Sequence, residues 1–525
     1  MSYLLDGLRN GFDTGIHPLP SRATEFNNLW SARNNSTFVS SAIESERQKG
    51  FLIGPFSQPP FPIYRVNPIG VATRKFSGKQ RLIVDCSWPH NNDSSSHTNY
   101  DNRIPPDTSS INDLISKEEY SLKYVKLDDA LKVLANLGPG CKLCKTDIQD
   151  AFKIIPLRPD LVPYYGIKWD NKYYFFTRLC FGCRSSPKIF DMLSRAIQFI
   201  ATNNYGISMM FHLLDDFLTI DPPGADAERS MAILTLLFNR LQIPYHHDKT
   251  LGPESTLVWL GLEIDCDMQE LRLDAVKLQR INSVINKYYK RKYCQKRELL
   301  SVLGHLTFAA RAAKLGRSFT SRIISAAYSK PHLFDWIKIT SEVRADLNIW
   351  QQILKQWNGV SYITPEITAS NSELIVTDAA GSGYAGYYFR TGQWFQSSWP
   401  GHLQLPVDSE LSIAFQELYP IVVACLLFGD QWTHKNVLFL CDNSAAVHVI
   451  NKGRSKSPKV MQLVRRLVLL ATCKGFNYAS MHLKGILNDT ADSLSRFQMA
   501  RFRSLQPNAA VQPLTCPLPP EVMDS

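Results

Sequence analysis

The chain has no apolar run long enough to read as a membrane span. The longest, PIVVACLLF from Pro420, falls well short of the roughly 18 residues a span requires and suits a core helix. The opening residues, MSYLLDGLRNGFDTG, carry charges where a secretory leader would be apolar, so an intracellular protein of cytoplasm or nucleus is expected. Disulfide spacing is missing too. The eleven cysteines are odd in number and scattered, which fits reduced thiols. Cys141/Cys144 and Cys180/Cys183 have the short spacing of zinc ligands. Each pair, however, falls in or beside an apparent strand, where residues three apart point to opposite faces, so no zinc site is expected. Negative charge is in deficit: 47 acidic residues against 58 Lys and Arg leave a net charge of +11. That balance points to a polyanionic partner, most often nucleic acid.

What is present is ordinary globular composition, 44% hydrophobic and 20% charged, in 525 residues. That length allows roughly three or four domains. The stretch FHLLDDFLTIDP, residues 211–222, sets Asp215 and Asp216 between two apolar runs and reads as a hairpin with the acidic pair at its turn. Two adjacent carboxylates between buried strands repel and lose hydration. A divalent cation such as Mg²⁺ would offset that cost, while an ordinary acidic turn is the plainer reading. Upstream, CKLCKTDIQDAFKIIPL places Asp147 at a strand end, followed by Asp150 and a helical turn at Ala151-Phe152. A carboxylate there is able to share a metal with the Asp215 pair.

Residues 1–47 read as an N-terminal extension. They contain Asp13-Thr14-Gly15, a protease-like triplet without the flanking apolar strands that signature needs. After the Pro-rich connector GPFSQPPFP comes NPIGVATRKFSGKQRLIVDCSW, a hairpin with Arg74, Lys75, Lys79 and Arg81 near its tip, suited to gripping a triphosphate. YYGIKWDNKYYFFT is a hairpin turning at Asp170-Asn171. RLCFGCRSSPKIF is a glycine turn leading into a helix with Ser186 as N-cap. TLVWLGLEID is a strand pair around Gly261. The region from 271 to 356 is helical and carries the basic, tyrosine-interleaved run KYYKRKYCQKR, which suits a nucleic-acid backbone. A second α/β unit begins at Leu374. There Asp378, Glu417, Asp442 and Asp492 fall at strand ends and helix starts, an arrangement that suggests a two-metal site, and His482 falls in a loop. The tail from 501 is Pro-rich and expected to be disordered.

Taken together, these motifs resemble a reverse transcriptase followed by a ribonuclease H domain. GPFSQPPFP, RLCFGCRSSP, LLDDFL and SVLGHLTFAARAAKLGR resemble the DIRS-like group, the tyrosine-recombinase retrotransposons, over residues 48–497. The resemblance implies an α+β multidomain fold, a right-hand polymerase of fingers, palm and thumb followed by a ribonuclease H-like domain. Its boundaries would be fingers and palm over 48–265, a mostly helical thumb and connection over 266–367, and the ribonuclease H-like domain over 368–500.

It further implies that Asp147, Asp215 and Asp216 are polymerase carboxylates and that Phe152 blocks a ribose 2′-hydroxyl. Arg74 or Lys75 would contact the triphosphate together with Arg81, Gly182 would lie under template and nucleotide, and Lys249 would protonate pyrophosphate. WLGLEID would be the primer grip. Asp378, Glu417, Asp442 and Asp492 would bind metal, with His482 as the mobile-loop histidine. Each active site would take two Mg²⁺, with Mn²⁺ as a substitute. The partners would be an RNA template, a DNA primer, dNTPs and the RNA–DNA hybrid, with no membrane and with a recombinase or integrase on another polypeptide. Two departures stand out. Leu213 occupies the position where the signature usually has Tyr or Phe, and Cys180-Phe181 replace the Pro-Gln of retroviral relatives. The rival readings are a non-catalytic nucleic-acid-binding derivative of such an enzyme and a polymerase of another LTR or pararetroviral lineage. All seven carboxylates are present, which weighs against decay.

Overall fold

The computed structural model describes residues 2–73, 78–90, 107–400 and 410–519. The protein is an α+β chain of two compact units, one formed by Met1–Lys126 and Lys142–Glu254, the other by Leu127–Cys141 and Ser255–Ser525. The break therefore falls at Glu254/Ser255, about ten residues before the boundary expected at 265, and the helical region stays with the α/β region that follows it.

In the first unit a hairpin pairs β1 (Ile69–Thr73) with β2 (Gln80–Val84). The sheet that matters most here contains β3 (Lys142–Asp147). A second hairpin, β4 (Gly166–Trp169) and β5 (Lys172–Phe176), turns through Asp170 and Asn171 at φ of 49° and 54°, the left-handed pair that two-residue hairpins favour. Helix α1 (Ser186–Asn203) follows, then β6 (Met209–Leu213), β7 (Asp216–Asp221), α2 (Ala227–Arg240) and β8 (Leu251–Glu254). The antiparallel sheet has the order β8-β3-β7-β6. Because β7 lies between two neighbours, Phe217, Leu218, Thr219 and Ile220 are fully buried. Phe217 packs edge-on to Phe238 of α2 at 5.7 Å, and Leu193 and Ile197 of α1 complete the core.

The helix cap expected at Ser186 is one residue earlier: Ser185 is the N-cap, and the Ser186 hydroxyl donates to the Cys180 carbonyl at 2.9 Å. Residues 1–47 are not an appendage. Thr24–Glu25 pairs with Arg65–Val66, while Phe12, Ala32, Val39 and Ile43 are buried in the unit's core. Asp13, of the protease-like triplet, is spent on an ion pair with Arg158 at 2.8 Å, and Thr14 is buried.

The second unit opens with β9 (Thr256–Trp259) and β10 (Leu262–Asp265), turning at Leu260 and Gly261 with positive φ, then β11 (Glu270–Arg272). Helix α3 (Ala275–Tyr289) is capped by Asp274, whose carboxylate accepts the Lys277 amide. The basic run does not form one helix. It crosses the end of α3, strand β12 (Tyr293–Gln295) and the start of α4 (Lys296–Ala309). Next come α5 (Ser321–Ala327), β13 (Trp336–Lys338), α6 (Ser341–Gln356) and β14 (Val360–Tyr362).

The α/β region comprises β15 (Glu373–Ala379), β16 (Gly383–Tyr388), β17 (Gln393–Ser398), α7 (Glu410–Phe428), β18 (Asn436–Cys441), α8 (Ser444–Lys452), α9 (Pro458–Lys474), β19 (Asn477–His482) and α10 (Asp489–Ser495). Its sheet order is β17-β16-β15-β18-β19, antiparallel among the first three and parallel from β15 to β19. The stretch Ile413–Trp432, most of it in α7, is by length and composition apolar enough to cross a membrane, yet it is mostly buried in this core. A strongly apolar helix of this kind is what a fully enclosed position requires. Where α6 meets α9, Arg465 donates to the buried Asp346 carboxylate at 2.8 Å.

The tail differs from expectation. Helix α11 (Met499–Leu505) buries Phe502, the Arg503 guanidinium donates to the carbonyls of Ala509, Ala510 and Val511, and Leu514 bridges to Phe395 of β17. Through residue 519 the chain is therefore part of the unit, because Phe502 and Trp394 supply the apolar contact that composition alone did not reveal.

Candidate functional site

Two carboxylate clusters form, one in each unit. In the first, β3 ends on Asp147 and β7 begins on Asp216, and these two residues oppose each other directly in the antiparallel ladder. Across the hairpin Asp216 opposes Leu213, so Leu214 and Asp215 make the two-residue turn. Leu214 sits at φ 56°, a left-handed conformation that costs a branched residue on the order of 1–3 kcal/mol and is typical of functional turns. The turn is tied down where the Ile148 amide donates to the Asp215 carbonyl at 2.9 Å.

Charge accumulates here without full compensation. Burial pushes the Asp216 carboxyl up to about 6. Lys145, at 3.6 Å, pulls it back, and the charges of Asp147 and Asp215 add to the rise. Burial also raises the Asp215 carboxyl, with Asp147 adding to it and Lys249 and Arg81 opposing. The Lys249 ammonium lies 2.8 Å from Asp147 Oδ1, and His246 Nε2 lies 3.7 Å from the same oxygen. Asp216 Oδ1 is buried without a hydrogen-bond partner. Hard oxygen donors, mutual repulsion and an orphaned carboxylate oxygen together fit a divalent cation, which Asp147, Asp215 and Asp216 could hold.

Around this cluster, Phe152 lies in the 3₁₀ turn Ala151–Ile154, buried against Phe181 at 4.7 Å and Phe190 at 5.6 Å. Gly182 has φ 101°, and a Cβ there would meet the Val84 carbonyl oxygen at 2.3 Å, so no side chain fits. Its own carbonyl accepts from Asn112 at 2.8 Å, and Asn112 Oδ1 accepts the Arg184 amide at 2.7 Å. Arg81 is exposed on β2, close enough for its charge to act on Asp215. Arg74 and Lys75 lie outside the described residues.

In the second unit, Asp378 sits near the end of the central strand β15, Asp442 directly follows β18, Asp492 lies in α10, and Glu417, expected at a helix start, lies well inside α7 because that helix begins at Glu410. Burial pushes Asp378 up to about 6. Ser495 lowers it by a hydrogen bond, while the charges of Asp442 and Asp492 raise it. Glu417 is driven well above the usual carboxylate range by burial and then by Asp378 and Asp442. The four groups therefore share one pocket of negative potential. Glu417, Asp442 and the thiol of Cys441 have ligand atoms within 4.8 Å of one another, and the thiol lies 3.6 Å from Glu417 Oε2. Four converging carboxylates, two of them held towards their protonated forms, again fit divalent cations.

His482 is not in a loop. It ends β19, with Nε2 3.0 Å from the Asp442 carbonyl oxygen.

Several supporting residues escaped the sequence reading. Lys145 stands two positions before Asp147 and so on the same face of β3, a signal that strand alternation carries. Asn488 and Ser495 both donate to Asp378, and Arg496 donates to Asp492 at 2.6 Å. For these, no spacing rule connects a strand at 378 with a helix 110 or more residues later.

No family model and no curated protein matches the chain. Solved structures similar to it include a foamy viral protease-reverse transcriptase in complex with double-stranded DNA, at TM-score 0.48 and 15% identity, covering 89% of this chain and 73% of that one. A second such complex has TM-score 0.47 and 15% identity, covering 89% and 87%. The same viral protein with an RNA/DNA hybrid gives TM-score 0.47 and 15% identity, covering 89% and 55%.

Proposed function

We propose that the protein is an RNA-directed DNA polymerase with ribonuclease H activity, copying a retroelement RNA of the DIRS-like group. The observation that carries the reading is the direct pairing of Asp147 with Asp216 across neighbouring strands, with Asp215 in the adjoining turn. The carboxylate quartet around Asp378 supports the second activity. Asp147, Asp215 and Asp216 would hold Mg²⁺, or Mn²⁺ in its place. A cation held by these three carboxylates would supply Lewis acidity to a primer 3′-hydroxyl and positive charge to offset that of the triphosphate and the departing pyrophosphate.

The chain's own groups do the rest. Lys249 holds a proton beside Asp147 and supplies it to the leaving pyrophosphate. Arg81, with Arg74 or Lys75, grips triphosphate oxygens. Gly182 lets a template base and the incoming nucleotide approach the backbone. In the second cluster Asp378, Glu417, Asp442 and Asp492 would hold the cations and orient a water against a phosphodiester of the RNA strand. His482, at the rim, would move a proton to or from the reacting oxygens.

Primer extension on a heteropolymeric RNA template with dNTPs and Mg²⁺ tests the reading. Extension that depends on the RNA template supports it. Tight hybrid binding with no extension and no RNA cleavage would replace it with a non-catalytic binding protein.

Phe152 supplies a sharper test. Its ring, held by Phe181 and Phe190, would close the space beside the sugar. Phe152→Ala should admit ribonucleotides, raising ribo- over deoxyribonucleotide incorporation by about tenfold or more. Removing a buried ring also costs about 3–5 kcal/mol of stability. Phe152→Leu keeps most of the packing and should show a smaller change in sugar choice. Unchanged sugar discrimination in both variants would remove Phe152 from this role.

A further inference from the structure

We propose that the outer face of the β12–β13 ribbon, which contains no residue of either carboxylate cluster, binds single-stranded nucleic acid by stacking its bases on exposed aromatic rings. The ribbon pairs Tyr293 with Lys338, Cys294 with Ile337 and Gln295 with Trp336. Alternation buries Cys294 and Ile337 against the helices and turns Tyr293, Gln295, Trp336 and Lys338 outward. Trp336 is 63% exposed and Tyr293 52%. The turn before β13 adds Phe334 at 61%, and the end of α5 adds Tyr328 at 68%. Lone exposed rings are commonplace, but these are connected. The Arg297 guanidinium lies over the Phe334 ring at 4.6 Å, and its Nε donates at 2.9 Å to Gln295 Oε1, whose residue opposes Trp336. A buried lysine, Lys296, fixes the support: its ammonium donates to the carbonyls of Lys330 and Pro331 at 2.8 and 3.0 Å and lies over Tyr328.

Charge selects the occupant. Lys290, Lys292, Arg297, Lys330 and Lys338 are exposed on these two segments. Their acidic neighbours are already engaged, Asp335 with the His332 amide at 3.0 Å and Glu298 with Arg291 at 3.1 Å. The face is therefore aromatic and cationic together. A duplex satisfies the cations but hides its base faces inside the stack. A single strand offers both phosphates to the lysines and π-faces to the rings, and such stacking tolerates any sequence.

This inference needs neither catalytic activity, so it is measured in EDTA on the full chain, using a fluorescently labelled 20-nucleotide oligo-dT and a blunt duplex of the same length. Trp336→Ala should weaken oligo-dT binding about tenfold, Trp336→Ala with Phe334→Ala about a hundredfold, and Trp336→Phe little, while duplex binding holds. A strand carrying 2-aminopurine should lose its stacking-induced quenching with Trp336→Ala and keep it with Trp336→Phe. Because these side chains are exposed, melting temperatures should match the wild type. Unchanged oligo-dT affinity in the double variant would overturn the proposal, as would equal loss on the duplex. A dimer that the Trp336→Ala change converts to monomers would overturn it in favour of a contact between copies of the chain.

Discussion

Asp216→Asn should abolish DNA synthesis and leave RNA cleavage intact. The substitution preserves size and removes one charge from a position opposed to Asp147 and next to Asp215. Cation-mediated charge stabilisation contributes several kcal/mol to such a step, so a loss of about a thousandfold, or about 4 kcal/mol at 1.36 per tenfold, is expected in primer extension. Stability should move the other way. In the absence of metal, burial and neighbouring carboxylates raise the folded-state pKa of Asp216 to about 6 from 3.8. A raised carboxyl contributes stability that is fully present below pH 3.8, is lost as pH rises through about 6, and stays lost above. In EDTA at pH 8 the Asn variant should therefore melt at or above the wild type, and the gap should narrow in acid. Mg²⁺ should raise the wild-type melting temperature more than the variant's. Loss of both activities together with a lower melting temperature would mean misfolding and would leave the role of Asp216 unsupported.

The mirror-image result is expected for Asp442→Asn, with cleavage of the RNA strand in a hybrid lost by about a thousandfold and primer extension retained. Asp442 follows β18, and its charge helps to raise both Asp378 and Glu417. Removing it should let those two carboxyls fall back towards ordinary values, visible as a shift of their carboxyl carbon resonances on titration. Retained cleavage would take Asp442 out of the cation-binding set. Retained cleavage with shifted resonances would show that it shapes the field without contacting the reaction.

Local chemistry was the most legible part of this chain. The hairpin carrying Asp215 and Asp216, the Asp170-Asn171 hairpin and the Gly261 strand pair each announce themselves within ten residues, because apolar alternation and turn residues are short-range signals. The acidic pair, expected to form the turn, instead sits one residue later, with Leu214 and Asp215 in the turn and Asp216 opening β7. The register that brings Asp147 opposite Asp216 is not written locally. It depends on β7 lying between β3 and β6, an order set by long-range packing such as that of Phe217 against Phe238. Glu417 was expected at a helix start and lies inside α7, since a lone acid in an apolar helix has no period that fixes where the helix begins. His482 was misplaced by one element because β19 runs further than its polar residues suggest. The N-terminal 47 residues and the tail differ from expectation for a shared reason: short segments that complete another element's core carry only a few scattered apolar anchors, such as Phe12, Val39 and Phe502.

The buried pair between Asp346 and Arg465 bears on how such chains exchange parts. The stretch 357–373 after α6 reads in sequence as a linker between cassettes, yet its β14 pairs with β11 and Trp357 is buried. Here a cut in that linker would separate α6 from α9 and strand a carboxylate that is 1% exposed. Breaking a buried pair in this way costs about 3–5 kcal/mol, a large share of a domain's net stability. Recombinants that trade everything after Glu254 keep both partners, whereas those that trade only the α/β region must find a new cation for Asp346. Viable hybrids should therefore avoid crossover points between α6 and α9, and inheritance of the helical region with the α/β region would follow from a single guanidinium.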